Sequence, residues 1–65
     1  MLSRFECAIF YFSLAISLDP YFAIAYFCRA CCYQSSGDSF QASLDFTSTL
    51  DVIIFYSIIY YLDEY

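Results

Sequence analysis

Apolar residues at steps of three and four set the pattern of the first third of the chain. Phe5, Ala8, Phe12 and Ala15 fall on one side of a helix, which predicts an α-helix over residues 3–18. Ser3 stands at its start with Glu6 three residues on, the spacing of a capping box. Asp19-Pro20 stops it, because proline disfavours helical backbone at the residue before it. A second helix is predicted over residues 22–35, with Tyr26, Ala30 and Tyr33 on one face and Arg29 beside them. Gly37, the one glycine, ends it where a left-handed residue is needed. Asp38 or Ser39 can cap a third helix, with Phe40, Ala42, Leu44, Phe46 and Leu50 on its apolar side. After Asp51 the pattern weakens. Ile53-Ile54-Phe55-Tyr56 contains no turn former. Either the third helix runs on toward Leu62 or a turn forms without help from the sequence. Residues 58–62 also have strand-like content, although helix is preferred. The expected fold is all-α, built of antiparallel helix-turn-helix hairpins.

The chain also matches itself 34 residues apart. Ala8 pairs with Ala42, Phe12 with Phe46, Ile16 with Leu50 and Leu18 with Val52, while Tyr26 and Phe27 recur as Tyr60 and Tyr61. A period of 34 is that of a stacking helix-pair repeat. The run Tyr26-x2-Arg29-Ala30-x2-Tyr33, the turn Gly37-Asp38 and then Ala42-x3-Phe46 resemble one full unit of the tetratricopeptide repeat family. Before it, Phe5-x2-Ala8-x3-Phe12-x2-Ala15-x4-Pro20 is similar to the second half of another unit. The resemblance covers about residues 5–51 and implies a short α-solenoid: a half repeat over 1–20, a complete repeat over about 21–54, and a degenerate start of a third over 55–65. Small Ala8, Ala30 and Ala42 would let helices approach, and Phe12, Tyr26, Tyr33 and Phe46 would fill the gaps. Departures from the family pattern are Arg29 in place of leucine, Ser39 in place of an aromatic, Thr49 in place of a small apolar residue and Ile54 in place of the turn proline. An arginine at position 29 is expected to bury its stem and reach solvent.

Composition narrows the function. Of 65 residues, 63% are apolar, including eight Tyr and eight Phe. A chain this short hides only about 60% of its unfolded surface, so apolar area is left over for a partner, a membrane or a second copy. Three repeats are the usual minimum for a stable stack, and about two are visible here. The net charge is −5, with Arg4 and Arg29 the only cations. That argues against nucleic acid, whose phosphates need Lys and Arg, and disfavours an anionic membrane surface. The acids are scattered and read as solubility charge.

Chemistry is sparse. Cys28-x2-Cys31-Cys32 is one cysteine knuckle without histidine, short of the four ligands zinc wants. These thiols lie in mid-helix, away from the helix N-terminus that activates a redox cysteine. Free thiols suggest a reducing, cytoplasmic setting. Arg4 followed by the apolar run 8–18, with Ala15-x-Ser17, has signal-peptide flavour, but Glu6 interrupts it. The longest uncharged apolar stretch, residues 52–62, is too short to span a bilayer. Asp63-Glu64 read as a solvated end, and with no His and a single Gly there is neither a Ser–His pair nor a phosphate loop. No enzyme and no cofactor are expected.

The resemblance implies a non-enzymatic scaffold for protein–protein interaction. In that family the first helices of successive repeats line a groove that holds a peptide. Carried onto this chain, the groove residues are Ile24, Phe27, Cys28, Cys31 and Gln34, with Tyr61 added by the next helix. With Phe27, Cys28 and Cys31 there, and no Lys or Asn in the chain, a grip on a partner's C-terminal carboxylate is not expected. Packing against further repeats or a second copy is the plainer use of the same face. Two other readings remain: a membrane-associated hydrophobic small protein, and a repeat fragment with no role of its own.

Overall fold

The computed structural model describes residues 3–64, and the side chain of Glu64 is not described. The outer ends of the expected half repeat 1–20 and of the expected partial repeat 55–65 therefore lie outside the described residues. Within them the chain is all-α, with no strand: α1 spans Arg4–Leu18, α2 Ala23–Ser35 and α3 Ser39–Glu64.

The helix ends follow from local chemistry. At the start of α1 the Ser3 hydroxyl oxygen accepts from the Glu6 backbone N–H at 3.1 Å. The Glu6 carboxylate accepts from the Ser3 N–H at 3.1 Å, completing the capping box. Asp19 ends α1 with an extended backbone, and its Oδ1 accepts from the Tyr21 N–H at 3.2 Å. After α2, Gly37 takes φ +91°, and the Asp38 N–H donates back to the Tyr33 carbonyl at 2.8 Å. Of the two candidate caps for α3, Asp38 serves: its Oδ1 accepts from the Gln41 N–H at 3.2 Å.

Helix α3 runs unbroken through residues 51–55, and residues 58–62 are helical. Four of its Ser and Thr hydroxyls are accommodated by donating to the carbonyl one turn back: Thr47 to Ser43, Ser48 to Leu44, Thr49 to Asp45 and Ser57 to Ile53. With no proline or glycine beyond Gly37, nothing interrupts the ladder.

Short connections make neighbouring helices antiparallel. Phe27 meets Phe46, Arg29 meets Asp45, and Tyr21 meets Phe55, pairs whose numbers rise on one helix as they fall on the other. Helix α2 is central; α1 and α3 pack on its two sides and not on each other. The result is a layer one helix thick, with Cα extents of 52 × 22 × 11 Å. Helix α3 is twice the length of α2, so its second half extends past the end of α2. Tyr21 stacks on Phe55 with centroids 5.3 Å apart and rings 11° from parallel, and meets Tyr56 edge-on at 6.4 Å. These contacts mark the last level at which α3 has a neighbour from the α1–α2 turn.

A single layer buries little. Among the described residues the buried apolar ones are Ala25, Ala30, Ala42 and Val52, and no large side chain is fully enclosed. The alanines let the backbones approach, and half-buried Phe12, Tyr26, Tyr33 and Phe46 flank them. Phe40 and Leu44, expected on the apolar side of α3, are exposed instead, because α3 has a neighbour on one side only. The accessible surface is 5044 Å². A compact chain of this mass would expose about 4,300 Å².

Candidate interaction surface

Ile24, Phe27, Cys28, Cys31 and Gln34 recur every three or four residues and therefore share one face of α2. Ile24, Phe27, Cys31 and Gln34 are exposed, and Cys28 is half-buried. The face is open because the layer is one helix thick: α1 and α3 occupy the flanks of α2 and leave its outward side uncovered. Phe27 is partly tied down, its ring edge-on to Phe46 of α3 with centroids 5.6 Å apart. Sequence periodicity could not find that contact, since it depends on the register between helices. Tyr61 is exposed and lies on α3, six residues or about 9 Å of helix beyond Phe55. Since Phe55 is level with Tyr21, just before α2, and α2 runs the opposite way, Tyr61 stands apart from the α2 face.

The polar centre of the layer is Arg29. Its Nε and Nη2 donate to Asp45 Oδ2 and Oδ1, each at 2.7 Å, a two-pronged pairing with α3. Its Nη1 donates to the Ser13 hydroxyl of α1 at 3.0 Å. One side chain thus ties all three helices. Tyr26 and Tyr33 bracket the guanidinium, with ring centroids 5.7 and 5.9 Å away. The Arg29 side chain is 19% exposed and that of Asp45 6%. Arginine at this position therefore does not extend to solvent as the sequence suggested; a buried carboxylate holds it inside. The hydrogen bond with Asp45 raises the Arg29 pKa above its ordinary value, against the opposing effect of burial. Asp45, one of the scattered acids, is not a solubility charge. It is instead a buried anion, and Thr49, next to it on the same side of α3, is buried with its hydroxyl bonded to the Asp45 carbonyl. Among the described residues no buried side-chain polar atom lacks a partner.

All four cysteines are free thiols. Burial, and then the neighbouring Cys28 and Cys31, push the Cys32 thiol up, which disfavours its thiolate. Among the described residues no three Cys, Asp or Glu side chains converge as metal ligands would.

One helix, Ser39–Asp63, is long and apolar enough to cross a membrane by length and composition. Exposed Asp51 interrupts it. The uncharged part, residues 52–62, is about 17 Å long at 1.5 Å per residue, against the ~30 Å of a bilayer core.

Compared with protein-family models, with curated proteins and with solved structures, the chain matches none. The likeness to the tetratricopeptide repeat accordingly rests on residue pattern alone.

Proposed function

We propose that this chain is a non-enzymatic, repeat-like helical segment that binds a protein or peptide through the outward face of α2. The observation that carries the reading is the exposure of Ile24, Phe27 and Cys31 along the middle of a one-layer array. A central helix is normally covered on every side; here its apolar face is left to a ligand. Phe27 and Ile24 are the anchors. Large apolar side chains at the centre of a patch carry most of the binding free energy in such contacts. Gln34 at one end of the face supplies a hydrogen-bond donor and acceptor. The absence of any cation on this face favours a ligand with apolar anchors over one presenting a carboxylate.

The test is selection of peptides from a displayed library on the purified chain, followed by mapping of amide shifts. Selected peptides should perturb Ile24, Phe27 and Cys31 and bind about tenfold more weakly to Phe27→Ala. Peptides that map elsewhere, or bind the variant equally well, would remove the proposal.

A second reading, membrane association through α3, has the length and apolar character of that helix in its favour. It is the weaker one, since Asp51 and Asp63 bound an uncharged stretch about half a bilayer long.

A further inference from the structure

The side of α3 that faces α2 carries Ala42, Asp45, Thr49 and Val52, all buried. At helical spacing the same stripe continues as Tyr56, Ile59, Tyr60 and Asp63. Helix α2 ends before it reaches them, and they are exposed. One continuous helix face is thus half covered and half open. The covered half meets the 13 residues of α2, and the other half is open beyond Phe55 and Tyr56, whose rings still meet Tyr21.

We infer that the open half is covered by the same segment of a second copy, lying antiparallel as α2 does, about a two-fold axis near residues 59 and 60. Three observations point to this occupant. The first is continuity: a helix antiparallel to α3 already seats on this stripe, and a partner's residues 57–63 would prolong the α2 track beyond Tyr21. The second is area. The one-layer chain as a whole exposes about 750 Å² more than a compact chain of its mass, on the order of the ~800 Å² per partner of a standard interface. The third is charge. From Val52 to Leu62 the helix carries no Asp, Glu, Lys or Arg, so two copies overlap through neutral surface, with each Asp63 near the other copy's Tyr56 hydroxyl and not opposite another acid. A basic peptide would find no anion along the centre of the stripe, and a bilayer would need about twice its length.

The internal match supports the same geometry. Residues 21–28, Tyr-Phe-Ala-Ile-Ala-Tyr-Phe-Cys, recur in type at 55–62 as Phe-Tyr-Ser-Ile-Ile-Tyr-Tyr-Leu. The first copy of this pattern is packed between two helices. The second, held straight on α3, has lost an equivalent position within its own chain. The inference concerns a surface other than the α2 face and holds whether or not that face takes a peptide.

Sedimentation equilibrium of the full chain, with circular dichroism on the same samples, tests it. The expected result is a dimer whose melting temperature rises with protein concentration. Ile59→Glu places like charges at the two-fold axis and should raise the dissociation constant at least 100-fold while helix content persists. Ile54→Glu, on the opposite side of α3, should leave it within about threefold. Should Ile59→Glu not fold, Tyr60→Ala is the milder probe, with a tenfold rise expected. A monomeric wild-type chain, polymers larger than a dimer, equal disruption by Ile54→Glu, or a lipid-free monomer that floats with phosphatidylcholine vesicles would each overturn the inference.

Discussion

Arg29→Met removes the one side chain bonded to both α1 and α3 and leaves Asp45 charged and buried. Breaking a buried ion pair from one side costs about 3–5 kcal/mol, because the remaining charge has lost both its water and its partner. A 65-residue domain has only about 3–10 kcal/mol of stability in total. The Arg29 side chain is 19% exposed, so part of the pair still meets water, and the low end of about 3 kcal/mol is the appropriate figure. At about 4–8 °C per kcal/mol, the melting temperature should fall by about 12–24 °C. Asp45→Asn should cost less, about 2 kcal/mol. It leaves the more exposed partner, which keeps its bond to Ser13 and its two tyrosine rings. The double variant Arg29→Met, Asp45→Leu should recover most of the loss, since apolar replacement of a whole buried pair is often neutral or stabilising. Thermal and urea melts followed by circular dichroism at fixed protein concentration give the comparison. If Asp45→Asn proves as damaging as Arg29→Met, or the double variant no better than the worse single one, the assignment of Asp45 as a buried charge that depends on Arg29 is wrong.

Two further outcomes test the local structure. Gly37→Ala should destabilise by about 1–2 kcal/mol although no atom beyond its chain neighbours lies within 4 Å of the added methyl group, because φ +91° is strained for any side chain; an unchanged urea midpoint would contradict that turn. Cys32 should be alkylated by iodoacetamide more slowly than exposed Cys7 and Cys31 near neutral pH. Its raised pKa leaves less thiolate at a given pH, so its rate should approach theirs as pH rises; peptide mapping that found Cys32 modified first would refute its burial.

The helix boundaries were legible because their causes are local. Ser3 and Glu6, Asp19-Pro20, Gly37 and Asp38 act within four residues of where they stand, and each ends or begins a helix where the pattern placed it. The shared face of Ile24, Phe27, Cys28, Cys31 and Gln34 was legible for the same reason, since 3.6 residues per turn fixes it. The Arg29–Asp45 pair was not. Its members are 16 residues apart, and nothing in the local pattern separates Asp45 from the other scattered acids. The contact of Phe27 with Phe46 likewise appears only once α2 and α3 are in register.

By itself the sequence determined that this chain is mainly helical, where α1 and α2 start and stop and where α3 starts, and which side chains each helix carries on one side. Those are properties of neighbouring residues and of a fixed helical pitch. Only the tertiary structure decided that the three helices lie in a single layer, that Arg29 turns inward to a buried carboxylate, and that α3 outruns its neighbour. These depend on which surfaces meet across long separations, and on the straight course of α3 past residue 51, where the sequence left two courses open.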